Sequence, residues 1–282
     1  MTVPGDDHQP TRMRVRLLQT DPGLGDVAGN LRHLSELVAA EPDVDLVVTP
    51  ELATHGYHLS ELEAVEAIAS DAPALLALGD HGPTVIAGFA EQSGPDVHNS
   101  AVITGGGQVV VQRKISLPHY RQWVERRHFR PGDATAVHTV AGAQVAVLIC
   151  NDMWQPPLPW LAAQAGAEVL VVPVNSVESN VGSPTADVWD VILRHAALTL
   201  QAFVVFVNRS GVEAGSQFWG GSRVVAPDGR VIAQLGAEVG ALTVELDLEW
   251  LRRLRAEWPL LADPPMHVVA ETAARLASER GR

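Results

Sequence analysis

Gln144-Val-Ala-Val-Leu-Ile-Cys150 is an apolar run that ends on the chain's only cysteine, and Asn151-Asp152-Met153-Trp154 follows it. A short apolar run bounded by polar residues predicts a buried strand. A reactive group where a strand gives way to a loop sits where α/β sheets collect their sites. Two other predicted strands end the same way. Asp45–Thr49 runs into Pro50-Glu51, and Val109–Lys114 ends on the only lysine among 20 Lys and Arg residues. Where arginine has replaced lysine everywhere else, a surviving lysine is a candidate for a task that needs a compact ammonium. On these residues alone another explanation stays open, in which Lys114 survived by chance and Cys150 packs as a small hydrophobe.

Strand and helix patterns interleave around these three. Met13–Gln19, Thr84–Phe89, Ser100–Thr104, Val169–Val174, Phe203–Asn208, Gly221–Ala226, Val231–Gln234 and Ala241–Leu246 read as strands. Asn30–Ala40 carries Leu31, Leu34, Leu37 and Val38 on one helical face, and helices are also expected near Leu158–Ala165 and Thr185–Leu200. Ser60-Glu-Leu-Glu63 has the form of a capping box, predicting a helix to about Ser70 ahead of Pro73. Glu249–Glu257 and Val268–Ser278 read as terminal helices. The alternation predicts an α/β protein with helices packed on a mixed sheet. With no fixed-period repeat and no clean linker, residues 1–282 are expected to form a single domain with a helical tail from about 247.

Composition removes several classes of function. A net charge of −13 opposes nucleic-acid binding and anionic membranes, both of which need basic surface. Runs such as Val169–Val174 and Ala202–Val207 are too short to span a bilayer. One cysteine excludes an intramolecular disulfide and fits a reducing compartment. Met1–Pro10 is polar, so no secretory leader is expected, and the cytoplasm is the expected location. The 11 histidines show no metal-ligand spacing. Gly23–Gly29 departs from the dinucleotide-loop spacing. Neither a metal nor a cofactor is expected.

Glutamate, lysine and cysteine at strand ends form a consistent chemical set. A thiolate attacks a carbonyl or nitrile carbon, but a free thiol is mostly protonated at neutral pH. A carboxylate can take its proton and later activate water. A fixed ammonium suits the oxyanion of a tetrahedral intermediate. A helix following Cys150 is expected to add its positive end.

The surroundings are more specific. Leu46-Val-Val-Thr-Pro-Glu51-Leu-Ala-Thr-His-Gly-Tyr57, Arg113-Lys114-Ile-Ser-Leu-Pro118 and Val147-Leu-Ile-Cys150-Asn-Asp-Met-Trp154 resemble, in order, three motifs of the nitrilase, or carbon–nitrogen hydrolase, superfamily. The resemblance covers roughly residues 13–246. It implies a four-layer α-β-β-α sandwich assembled as a homodimer or higher homo-oligomer. It also implies Glu51 as general base, Lys114 as oxyanion-stabilising cation, Cys150 as nucleophile and Glu125 as second glutamate. The Asn151 backbone N–H would complete the oxyanion hole. Tyr57, Trp154 and Asn175, just past the motif strands, are candidate substrate contacts. The implied partner is a small-molecule amide, cleaved through a thioester with ammonia release.

Two departures shape the substrate. Asn151-Asp152 is similar to the nucleophile motif of N-carbamoyl amino acid amidohydrolases. Met153 stands where those proteins carry arginines that hold the substrate carboxylate. The Trp-Glu that follows the nucleophile in true nitrilases is absent. Gly56-Tyr57 and Glu125–Gly132 look like glutaminase domains of NAD synthetases. A carboxamide therefore ranks ahead of a carbamoyl amino acid or a nitrile. An amide acyltransferase and a non-catalytic binding protein are the alternatives of another class.

Overall fold

Val145, Val147 and Ile149 face one way and Ala146 and Leu148 the other, as the two-residue period of a strand requires. Val169 and Val171 alternate with Leu170 and Val172 in the same way, and Leu46 and Val48 alternate with Val47. One set from each strand packs between two sheets and the other packs under helices. Strands covered on both faces are apolar throughout, which is why these segments read as unbroken runs.

The computed structural model describes residues 11–62, 65–120, 123–179, 184–262 and 265–280. Its first six-stranded sheet runs in the order Gly240–Asp247, Arg12–Gln19, Leu46–Val48, Thr84–Ser93, Asp96–Gly105, Gln108–Arg113. The second runs Val231–Gln234, Arg223–Val225, Phe203–Asn208, Val169–Val174, Ala143–Val147, Val137–Val140. In each, three parallel neighbours are flanked by antiparallel strands. Helices α1 (Val27–Ala39) and α2 (Pro73–Leu76) lie on the chain's crossovers in the first sheet, and their buried Leu31, Leu34, Val38 and Leu75 cover its outer face. Helices α3 (Pro157–Gln164) and α4 (Thr185–Thr199) do the same for the second. The four layers are those the resemblance implied. The two sheets also repeat one strand–helix–strand–helix–strand topology, for which the sequence shows no period. Helices α5 (Leu248–Glu257) and α6 (Met266–Arg280) follow the last strand.

Some local expectations need correction. Helix α1 begins at Val27, because the Asp26 side chain accepts from the Gly29 N–H and caps it ahead of the apolar pattern. No helix runs from Ser60 to Ser70 among the described residues. Leu59–Glu61 is a single 3-10 turn, and Ile68 pairs with the strand at Glu91. Glu63, the far half of the expected capping box, lies outside the described residues. Leu62, Val65 and Ala67 pack on a cluster with Leu52 and Leu59, so tertiary burial overrides the local helix signal. Pro73 opens α2 instead of closing a helix. After Cys150 the chain makes a 3-10 turn, Cys150–Trp154, and α3 starts only at Pro157. The expected α-helix N-terminus is therefore not at the thiol. The hairpin Ser210–Glu213/Ser216–Trp219 lacks an apolar alternation and was not foreseeable from the sequence pattern. No helix among the described residues is long and apolar enough to cross a membrane.

Candidate active site

Glu51 follows the strand Leu46–Val48 and is fully buried. Its turn lies directly on Gly88 of the neighbouring strand, where a Cβ would collide with the backbone of Pro50 and Leu52. Burying a carboxylate is costly unless its oxygens are satisfied. Here Oε1 accepts from Lys114 Nζ at 2.6 Å and from Asn99 Nδ2 at 2.8 Å, and Oε2 accepts from the Asn175 N–H at 2.9 Å. The Asn175 side chain donates back to the Glu51 carbonyl at 2.7 Å. Glu51 and Asn175 each follow the middle parallel strand of their sheet, so the two sheets meet at this pair.

Lys114, also fully buried, donates a second bond to Glu125 Oε1 at 2.8 Å. The same oxygen accepts from the Tyr57 hydroxyl at 2.7 Å. Burial works to lower the Lys114 ammonium, but Glu125 and Glu51 overcome it and hold the group well above its ordinary range. Burial pushes the Glu125 carboxyl up, with Lys114 opposing and Glu51 reinforcing the shift. Burial and the Glu125 and Glu51 charges also hold the Tyr57 hydroxyl well above its usual value, so it stays a donor.

Cys150 lies at the rim of this cluster and is partly exposed, with a left-handed backbone (φ 48°) that few non-glycine residues adopt. Burial of the sulfur and the charge of Glu51 push its thiol well up, while Lys114 acts in the other direction. The resting group is therefore a thiol, and attack requires a partner to remove its proton. Asn151 sends its side-chain N–H to the Ser116 carbonyl at 2.9 Å.

A cavity of about 260 Å³ opens beside Glu125, lined by Tyr57, His58, His128, Phe129 and Ser216 among others. Glu213, from the unforeseen hairpin, accepts from the Tyr57 and His58 N–H groups at 2.9 and 2.7 Å and pairs with Arg209 at 2.7 Å. Burial would raise the Glu213 carboxyl, but His58 and Arg209 outweigh it and bring it down to about 2. A lowered carboxyl stabilises the fold above the ordinary glutamate range, and that contribution is lost only as pH falls towards 2. Gly56 makes this clamp possible: its φ is +81°, and an added Cβ would stand 2.6 Å from Glu213 Oε2 and 2.9 Å from Leu24 Cα. Gly56→Ala is expected to lose about 2–4 kcal/mol, combining left-handed strain with overpacking. Urea denaturation measures it, and an unchanged midpoint would refute the argument.

The structure brings Glu51, Lys114, Glu125, Tyr57 and Asn175 into one hydrogen-bonded cluster, with Cys150 at its edge. It does not bring Trp154 there. That ring is 40% exposed and packs edge-on against Trp189 at 5.4 Å, beside a groove between α3 and α4. Being the last residue of the turn, it points to the helical layer instead of the sheet ends. Sequence reasoning gave no role to Asn99, Asp152, Arg209 or Glu213, each of which has at least one partner 36 or more positions away. The signal for Asp152 was its place in the Asn151-Asp152 pair directly after Cys150. No group of three His, Cys, Asp or Glu side chains among the described residues is placed to hold a metal ion.

This layered fold, with an acid–lysine–acid cluster beside a reachable thiol, is that of a hydrolytic enzyme. The chain belongs to the carbon–nitrogen hydrolase family of the nitrilase superfamily, whose family model matches residues 14–256. It is 34% identical over 254 residues to a glutamine-dependent NAD(+) synthetase of Thermotoga maritima, covering 84% of this chain but only 42% of that protein. It is 32% identical over 259 residues to an (R)-stereoselective amidase of Pseudomonas sp., covering 89% of this chain and 91% of that one. Among solved structures, an amidase from Nesterenkonia sp. AN1 in complex with acrylamide superposes with a TM-score of 0.75 at 26% identity, covering 90% and 98% of the two chains.

Proposed function

We propose that this enzyme hydrolyses a small carboxamide through a thioester on Cys150. The observation that carries the reading is the fully buried Lys114 ammonium bridging Glu51 and Glu125 beside a partly exposed thiol. The amidase relatives support a small amide. Glu51 takes the thiol proton as Sγ attacks the amide carbon. Lys114 and the Asn151 N–H hold the oxyanion. Collapse of the adduct breaks the C–N bond, and Glu51 returns the proton to the departing nitrogen, releasing ammonia. Water, deprotonated by Glu51, then attacks the thioester, and the acid leaves as the thiol is restored. Glu125 and Asn175 keep Lys114 and Glu51 aligned.

Ammonia release is measured across primary carboxamides, glutamine, N-carbamoyl amino acids and nitriles, with Cys150→Ala alongside. Release from the carboxamides is expected, falling to background in a variant that keeps its circular dichroism. Retained turnover without the thiol would overturn the mechanism. An added amine that captures the acyl group at the expense of free acid would make the enzyme an acyltransferase instead.

A further inference from the structure

Asp152 is a buried acid that the proposed chemistry does not use. It is 1% exposed, yet its carboxylate is bonded to no cationic side chain among the described residues. Its partners are peptide N–H groups from two segments. Oδ1 accepts from Ser116 at 2.6 Å and Ile115 at 3.1 Å, the two residues after Lys114. Oδ2 accepts from Ile149, the residue before Cys150, at 3.2 Å, and also from Ile115 at 3.3 Å. The Asn151–Ser116 bond ties the same two segments a second time.

We propose that Asp152 is a positioning residue, locking the segment that carries Lys114 onto the turn that carries Cys150 and so setting the register of ammonium against thiol. The proposal rests on reading Lys114 and Cys150 as the reacting pair. Only an ionised carboxylate serves as the lock, because both oxygens must accept. An amide or a protonated acid turns a donor towards the Ile149 or Ile115 N–H, leaving two donors opposed in a buried place. Burial acts against the ionised form and raises the group to about 6, with the three N–H donors and Lys114 opposing the shift. Lys114 is the charged group facing it from the neighbouring segment, and Cys150 is the titratable group on its own turn. An acid raised above its ordinary range favours the folded state below that range and loses this contribution as pH rises through 6. At neutral pH the charge therefore works against folding, as expected of a residue kept for alignment and not for stability.

2-Iodoethanol, an alkylating agent with no C–N bond, tests this without any substrate, since Cys150 is the only thiol. At pH 7.5, Asp152→Asn is expected to be alkylated about tenfold more slowly, equivalent to about one pKa unit of lost thiolate stabilisation. Between pH 5 and 8, the slope of log rate against pH in the wild type should fall from about 1.5 to about 1 as Asp152 ionises, because its protonated form keeps about a tenth of the reactivity and the thiol proton must leave throughout. The Asn variant should show a slope of about 1 throughout. With a carboxamide substrate, kcat should drop with KM nearly unchanged. Asp152→Ser, which accepts from a single N–H, serves if the Asn variant does not fold, and the same losses are expected. Wild-type alkylation rates in either folded variant would overturn the proposal. Asp152-dependent alkylation in a protein that turns over no amide would sink the proposed function and leave the positioning role standing.

Discussion

A Glu51→Gln variant loses amide turnover by about a thousandfold or more while its Cys150 becomes easier to alkylate. The two effects have opposite signs because Glu51 has two influences on the thiol. Its negative charge is among the causes that hold the thiol above its ordinary range, so neutralising it brings the thiol down and increases the thiolate fraction at pH 7. Its role in the proposed reaction is proton transfer, first from the thiol, then to the leaving nitrogen, then from water, and a carboxamide side chain performs none of these. Gln is close in volume, and its oxygen can still accept from Lys114 and Asn99; its amide N–H group then faces the Asn175 N–H, so the fold is expected to persist with some loss of stability. Alkylation kinetics with 2-iodoethanol and ammonia release from a carboxamide, on the same preparation, give both readouts. A fall in both would mean that the substitution had disrupted the cluster; a fall in neither would remove Glu51 from the mechanism.

Lys114→Met is expected to cost about 3–5 kcal/mol at neutral pH and to abolish turnover. The side chain is fully buried, and its ammonium is the only cation within bonding distance of Glu51 and Glu125 among the described residues. Without it two buried carboxyls face each other, and Glu125, already raised by burial, rises further. A carboxyl whose folded value is raised favours the folded state below the ordinary glutamate range and disfavours it as pH climbs through the raised value. The variant should therefore regain stability on acidification from pH 7.5 to pH 5. Urea midpoints across that range measure this, and a variant equally stable at both ends would contradict it.

Much of the fold was legible because both faces of each central strand are covered. Apolar runs such as Val169–Val174 and Phe203–Asn208 match strand boundaries residue for residue. The meeting of Glu51, Lys114 and Cys150 was legible for a related reason: each ends such a run, where a charge or a thiol contrasts with its surroundings. What escaped depends on partners remote in sequence. Asn99 reaches Glu51 across 48 positions, and Glu213 reaches Tyr57 across 156. Neither carries a local pattern that distinguishes it from a solvated polar residue. The Ser60–Glu63 signal was real as local chemistry but was outweighed by burial of Leu59, Leu62 and Val65 against Leu52. Trp154 lies away from the cluster because it closes the five-residue 3-10 turn after Cys150 and packs on Trp189.

The strand Gly240–Asp247 pairs along its full length with Arg12–Gln19, joining the end of the sheet-forming chain to its beginning. During synthesis, Arg12–Gln19 has no partner on that side until some 230 further residues have left the ribosome. Any product truncated before residue 240 would display Arg12–Gln19 as an open sheet edge, able to recruit other strands. The long wait places the arginines at 12, 14 and 16 in a new light. Charge on an open edge is the kind of feature that discourages edge-to-edge pairing; Arg14 and Arg16 pair with Glu41, and Arg12 finds its partner, Glu245, only when the last strand arrives.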